Sequence, residues 1–125
     1  MMTNLLTDDL EATRDLFVDL MDFTVEFDSD WFISMSNEEG HRIGAMLRTG
    51  EFVPKGHQEQ ARGVIITLVV NDVEPYFKKA KKLKLDIVEN PTDLPYGQRR
   101  LLLRDASGAL LDVSAPTAPV DANYT

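Results

Sequence analysis

The chain has 125 residues, of which 43% are hydrophobic and 27% charged, and its formal net charge is −8. This length and composition predict one soluble globular domain. The acidic charge argues against a nucleic-acid partner, and no apolar run approaches the roughly 20 residues of a membrane span. The chain contains no cysteine, which excludes disulfides, thiolate metal sites and cysteine nucleophiles. With neither disulfides nor a secretion signal at its start, we expect a cytoplasmic protein.

A first module of elements is predicted over about residues 1–48. After a short apolar strand, Asp8 is expected to cap a helix, with Glu11 reaching back as in a capping box. The helix is predicted from apolar residues that recur every three or four positions: Leu10, Leu16, Phe17, Leu20 and Met21. Three strands are expected to follow, at Phe23–Phe27, Trp31–Ser36 and Arg42–Arg48.

Residues 49–62 are polar and aperiodic, which predicts a linker to a second module over about residues 63–115. The β-branched run Val64–Val70 predicts a buried strand. Asn71 and Glu74 repeat the capping pattern, and Pro75 suits a first helical turn. The apolar positions of this helix are Val73, Phe77, Ala80 and Leu83. Three strands are again expected, at Asp86–Glu89, Arg99–Arg104 and Ala109–Ser114. The tail, 116–125, is predicted to be loose.

The two modules are related by an internal repeat at an offset of 63 residues. Asp8–Glu11 corresponds to Asn71–Glu74, and Val25-Glu26 corresponds to Val88-Glu89. Each copy reads as strand, helix and three strands. The sequence therefore predicts an α+β fold of two tandem βαβββ modules, which form a curved eight-stranded mixed sheet around a cup. All of residues 1–125 are assigned to this single domain.

Two pairs of segments resemble one known family. Thr7–Phe17 and Leu20–Phe23 are similar to the first helix and following "LGF" turn of the glyoxalase/bleomycin-resistance/extradiol-dioxygenase superfamily, which has the vicinal oxygen chelate fold. Tyr96–Arg99 and Arg104–Val113 resemble its final hairpin, usually a "DPxGxxxE" pattern. The resemblance runs from about residue 3 to 115. It implies the fold and a homodimer, but it does not specify the activity, because the superfamily includes lyases, isomerases, dioxygenases, epimerases and drug-sequestering proteins.

The resemblance also implies positions for a divalent metal, on the first and last strands of both modules. Counting back from the helix caps places the first-strand positions at Met2 and Ile65, or at Thr3 and Ile66 after a slip of one residue. Aligning Gly40 with Gly108 places the last-strand positions at Gly44 and Asp112. At most one of four expected ligands survives, so we expect neither a metal nor another cofactor. A composite site of His41, His57 and Asp112 is the alternative.

Strand alternation predicts a mostly apolar cup with a few polar groups. The candidate ligand-binding residues are Asp112, Thr67, Asn4, Met46, Trp31, Tyr96 and Arg100. Two interpretations of Asp112 are open: it accepts from a cationic or hydroxyl group of a ligand or acts as a base, or it forms an ion pair with Arg100 or Arg42. For Trp31, with Phe32, stacking on an aromatic ligand and simple packing are both open.

No nucleophile arrangement and no phosphate-binding loop stands out in the sequence. The first hypothesis is a metal-free protein, similar to bleomycin-resistance members, that binds a small cationic or aromatic molecule as a homodimer. The alternative is a metal-dependent lyase, isomerase or dioxygenase of the same superfamily, or a cofactor-free isomerase with Asp112 as its base. A third hypothesis is an interaction module that has kept the fold and lost the pocket.

Overall fold

The structure is a computed structural model that describes residues 1–117. Within this range the chain forms eight strands and two helices. Contacts divide the chain into two compact units. The first comprises Met1–Val64 together with Asp105–Ala109, and the second comprises Ile65–Arg104 and the residues from Leu110 onward.

The first unit contains one helix and a four-stranded mixed sheet. Its elements are β1 (Thr3–Thr7), α1 (Leu10–Asp15) with a π-helical turn directly after it (Leu16–Leu20), β2 (Thr24–Asp28), β3 (Phe32–Ser36) and β4 (Arg42–Leu47). The strand order is β1-β4-β3-β2. β1 runs parallel to β4, and the other neighbours are antiparallel.

The core of this unit lies between the helical segment and one face of the sheet. Four of the apolar residues that predicted the helix are buried in this core: Leu16, Phe17, Leu20 and Met21. Alternate residues of the strands are buried with them: Leu5, Ile33, Met35, Ile43 and Ala45. Because strand side chains alternate between faces, the opposite face of this sheet carries Asn4, Gly44 and Met46.

The first helix is capped by Asp9 and not by Asp8 as predicted. The Asp9 carboxylate accepts a hydrogen bond of 3.0 Å from the Ala12 backbone N–H. Asp8 instead accepts from the Arg48 and Gln60 side chains. Asp8 and Asp9 are adjacent and of the same type, so residue type alone could not predict which of them caps the helix.

The cap at Asp9 carries a stability prediction. Asp9→Ala leaves a first-turn N–H without its partner, and we expect it to lower the free energy of unfolding by about 1 kcal/mol. Urea denaturation followed by circular dichroism measures the change. Asp9→Asn keeps the side-chain acceptor and should cost less than half as much; equal losses in the two variants would contradict the capping role.

The second unit repeats the order of the first. Its elements are β5 (Ile65–Val69), α2 (Glu74–Lys82), β6 (Asp86–Leu94), β7 (Gln98–Arg104) and β8 (Leu110–Pro116). The strand order is β5-β8-β7-β6, with β5 parallel to β8. The buried side of the sheet carries Leu101, Leu103, Leu111 and Val113, and Arg99 on that side forms an ion pair with Glu74 of α2.

The start of α2 differs from its prediction. Asn71 does not cap this helix. The N-cap residue is Val73, whose side chain makes no capping hydrogen bond. The Asp72 carboxylate accepts a hydrogen bond from the Glu74 backbone N–H. Pro75 lies in the first turn as predicted. Of the predicted apolar positions, Val73 and Ala80 are buried, whereas Leu83 is 37% exposed.

The prediction of an α+β chain with two tandem βαβββ modules is confirmed, and its eight strands are hydrogen-bonded as two mixed sheets of four. Predicted strand ends are within two residues of the observed ones, except that β6 continues to Leu94. β8 reaches Pro116, inside the predicted tail, while 118–125 lie outside the described residues. Among residues 1–117 no helix is long and apolar enough to cross a membrane.

Candidate functional site

The side of the second sheet that faces away from α2 carries a polar cluster, which we call the Asp112 face. Two rows of side chains cross it from strand to strand. The pairing register gives the first row as Thr67, Asp112, Leu102 and Glu89. The second row is Val69, Ser114, Arg100 and Thr92. Neighbouring strands therefore bring the predicted residues Asp112, Thr67 and Arg100 onto one surface.

The Asp112 carboxylate is held by two hydroxyl groups. Thr67 Oγ1 donates to Oδ2 at 3.1 Å, and Ser114 Oγ donates to Oδ1. No ion pair to Asp112 occurs within the described part of the chain, so the predicted pairing with Arg100 or Arg42 is not found there. A carboxylate oxygen has two lone pairs, so each Asp112 oxygen can accept a further hydrogen bond from a ligand.

Arg100 pairs with Glu89 instead. Its Nη2 atom donates to both Glu89 carboxylate oxygens at 3.1 Å. This hydrogen bonding raises the pKa of Arg100 above its ordinary value. The negative charge of Glu89, and more weakly Tyr96 and Asp112, raises the pKa further against the opposing effect of burial. Arg100 Nε is buried and has no hydrogen-bond partner among residues 1–117.

Apolar side chains lie beside the carboxylate. Ile65 and Val69, which flank Thr67 on the edge strand β5, are 55% and 65% exposed. Leu110, two residues before Asp112, is half-buried on the same face. Exposed aliphatic surface next to an oriented carboxylate suits a small molecule that combines an apolar body with a cationic or hydrogen-bond-donating group.

Three predicted site residues lie in the first unit. Asn4 stands opposite Gly44, and Leu6 stands opposite Met46 on the same face. The Asn4 amide occupies the space above Gly44: a Cβ atom added there would overlap Asn4 Oδ1 and lie 2.9 Å from Phe32 Cε1. A larger residue at position 44 would therefore have to displace the Asn4 amide and the Phe32 ring.

Trp31 belongs to an aromatic cluster within the first unit. Its ring centroid lies 4.6 Å from that of Phe52 and 5.5 Å from that of Phe32. This cluster is partly open to solvent, since Phe52 is 61% exposed. Sequence analysis missed Phe52, which lies in the aperiodic linker, where no strand or helix period indicates a partner.

The residues at the metal positions do not fit a divalent metal. The last-strand residues Gly44 and Asp112 stand opposite Asn4 and Thr67, two residues beyond the predicted Met2 and Ile65. They contribute one amide, one hydroxyl and one carboxylate, and no imidazole.

The histidines do not supply the missing ligands. His41 is exposed beside Asn37 and Glu39, and His57 is exposed in the linker. In the described 117 residues no three carboxylate or imidazole side chains approach closely enough to hold a metal ion.

Strand alternation predicts Ser114 on the face of Asp112, because it lies two residues further along the strand, and the register agrees. Sequence analysis missed Glu89 as a member of the cluster. Glu89 could not have been found from alternation, because the register of β6 shifts on both sides of it, between Ile87 and Glu89 and between Glu89 and Thr92. Such bulges change the side to which a strand residue points.

The protein is thus an α+β protein built from two βαβββ modules. In each module a helix covers one face of the sheet, and the other face bears polar side chains. The chain belongs to the Glyoxalase/Bleomycin resistance protein/Dioxygenase superfamily, whose sequence profile matches residues 2–113. No curated protein matches the chain.

Several solved structures are similar in fold to this chain. A glyoxalase/bleomycin resistance protein/dioxygenase from Nocardioides has a TM-score of 0.74 and 15% identity, with 93% of this chain and 82% of that chain covered. Lactoylglutathione lyase from Agrobacterium tumefaciens has a TM-score of 0.70 and 15% identity, covering 92% and 91%. TioX from Micromonospora sp. ML1 has a TM-score of 0.68 and 20% identity, covering 93% and 97%. Identities this low establish the fold alone.

Proposed function

We propose that this protein binds a small molecule without a metal, and that Asp112 anchors a cationic or hydroxyl group of that molecule. The observation that carries the proposal is the set of hydrogen bonds made by the Asp112 carboxylate. Two hydroxyls, those of Thr67 and Ser114, fix its orientation without neutralising its charge. A ligand cation then supplies the ion-pair contact that Asp112 does not make with any described residue, through a charge-assisted hydrogen bond.

The surroundings of Asp112 support a ligand with an apolar body. Ile65 and Val69 expose aliphatic surface on the adjacent edge strand, and burying that surface contributes roughly 25 cal/mol per Å². The net charge of −8 additionally favours the approach of cations. The metal-dependent enzyme of the alternative hypothesis gains no support, since the donor set at its expected positions lacks enough ligands.

A matched pair of probes tests the proposal. We expect 2-phenylethylammonium to bind more tightly than 2-phenylethanol, with shifts of the Thr67 and Asp112 amide signals in ¹H–¹⁵N NMR titrations. Asp112→Asn keeps the side-chain shape and removes the charge. It should weaken binding of the ammonium at least about tenfold, because hydrogen bonds to charged groups contribute about 1.5–3 kcal/mol.

Asp86→Asn is the control, because it removes the same charge from the exposed end of β6. It should leave both dissociation constants within about twofold, a difference of about 0.4 kcal/mol. The proposal fails if the two variants weaken ammonium binding equally, or if neither probe shifts signals on the Asp112 face.

A further inference from the structure

One arginine on the Asp112 face, Arg100, is a diagonal neighbour of two carboxylates, those of Asp112 and Glu89. Leu102 stands directly opposite Asp112 on one side and directly opposite Glu89 on the other. Arg100 lies two residues before Leu102 on the same face, so it is the diagonal neighbour of both acids. Diagonal neighbours in an antiparallel sheet are about 7–8 Å apart, which a long side chain can span.

Arg100 contacts only one of these two acids by hydrogen bonds. Nη2 donates to both Glu89 oxygens at 3.1 Å, whereas the Asp112 oxygens accept from Thr67 and Ser114. If the guanidinium turned towards Asp112, it would neutralise the carboxylate that the proposed function requires to be free for a cation.

We propose that Glu89 sets the charge selectivity of the site by holding the Arg100 guanidinium away from Asp112. The inference rests on the proposed function for its ligand, but the competition between the two acids is a property of the sheet itself. In this arrangement Glu89 is a positioning residue: it acts on the ligand through Arg100. The site then prefers cations over neutral molecules of the same shape only while Glu89 is paired with Arg100.

Partial burial strengthens the interaction between Arg100 and Glu89. The Arg100 and Glu89 side chains are 24% and 35% exposed, so water competes only partly for their hydrogen bonds. The row register also places the two carboxylates on opposite sides of Leu102.

Three variants test the inference with the same two probes. Glu89→Gln keeps the shape and releases Arg100, and we expect ammonium binding to weaken about fivefold while 2-phenylethanol binding is unchanged, an effect of the size seen for partly exposed ion pairs. The double variant Glu89→Gln/Arg100→Gln removes both charges of the pair, so it should return ammonium binding to within about twofold of the unmodified protein. Arg100→Gln alone should not weaken it.

The outcomes separate this inference from the proposed function. If Asp112→Asn weakens ammonium binding but Glu89→Gln does not, Glu89 has no such role although the proposed site stands. A double variant that remains as weak as Glu89→Gln would make Glu89 a structural residue and overturn the inference.

A crystal structure of Glu89→Gln tests the competition without a ligand. Arg100 hydrogen-bonded to Asp112 would support the inference even if neither probe binds, and Arg100 remaining beside residue 89 would overturn it.

Discussion

Replacing Phe17 with alanine is expected to lower the free energy of unfolding by about 3–5 kcal/mol, the cost of truncating a fully buried aromatic side chain. Phe17 is 1% exposed in the π-helical turn and packs edge-on against Phe23, with ring centroids 5.4 Å apart and planes at 77°. Other residues of this core, such as Ile33 and Met35, are also fully buried, and close packing leaves little room for the cavity to collapse. The midpoint of urea denaturation measures the loss, provided that its slope is unchanged.

Val18 provides the control for this substitution. It is the next residue along the same turn and is only half-buried, so Val18→Ala should cost less than about 1.5 kcal/mol. Similar losses in the two variants would mean that the π-helical turn does not direct Phe17 into the core. A Phe17→Leu variant should fall between them, because leucine fills part of the space.

The fold was predictable because its signals are local and repeated. The three- and four-residue spacing of Leu16, Phe17 and Leu20 indicates a helix, and the β-branched run before Asn71 indicates a strand. The repeat at an offset of 63 residues then fixed the order of the modules. The π-helical turn was not predictable, because its apolar positions also satisfy an ordinary α-helical period.

The candidate site was predictable only in part. Strand alternation and the repeat placed Thr67 and Asp112 on one face, and the register agrees. The partner of Arg100 was not predictable, because a bulge on each side of Glu89 shifts the alternation of β6. From the sequence, Asp112 is the only acid considered as a pairing partner of Arg100. Hydrogen-bond partners depend on pairing between strands distant in sequence, which a single-strand pattern does not contain.

Asp105 illustrates the same limit of local patterns. The sequence indicates a turn at Asp105-Ala106-Ser107-Gly108, and the structure has that turn, with Gly108 at a φ of +92°. Asp105 is nevertheless only 4% exposed. Its Oδ2 atom accepts from the Ser107 backbone N–H and from the Thr13 hydroxyl, both at 2.9 Å. Thr13 is 92 residues away in sequence, so only tertiary packing brings this pair together.

Asp105→Ala is expected to destabilise the protein by about 2–3 kcal/mol, because it leaves the Thr13 hydroxyl and the Ser107 N–H buried without this acceptor. Thr13 is also hydrogen-bonded to Thr7 at the end of β1. Asp105→Asn retains one acceptor oxygen and should lose less than half as much. Urea denaturation of both variants provides the measurement.

Thr13→Val separates the contribution of the Thr13–Asp105 hydrogen bond from that of the turn. The valine is close in shape to threonine but donates no hydrogen bond to Asp105. If the hydrogen bond contributes to stability, the loss in the double variant Thr13→Val/Asp105→Ala should be smaller than the sum of the two single losses by about 1 kcal/mol. Additive losses would show that Asp105 acts through Ser107 alone. The buried carboxylate would then order its own turn, and helix α1 would gain nothing from its presence.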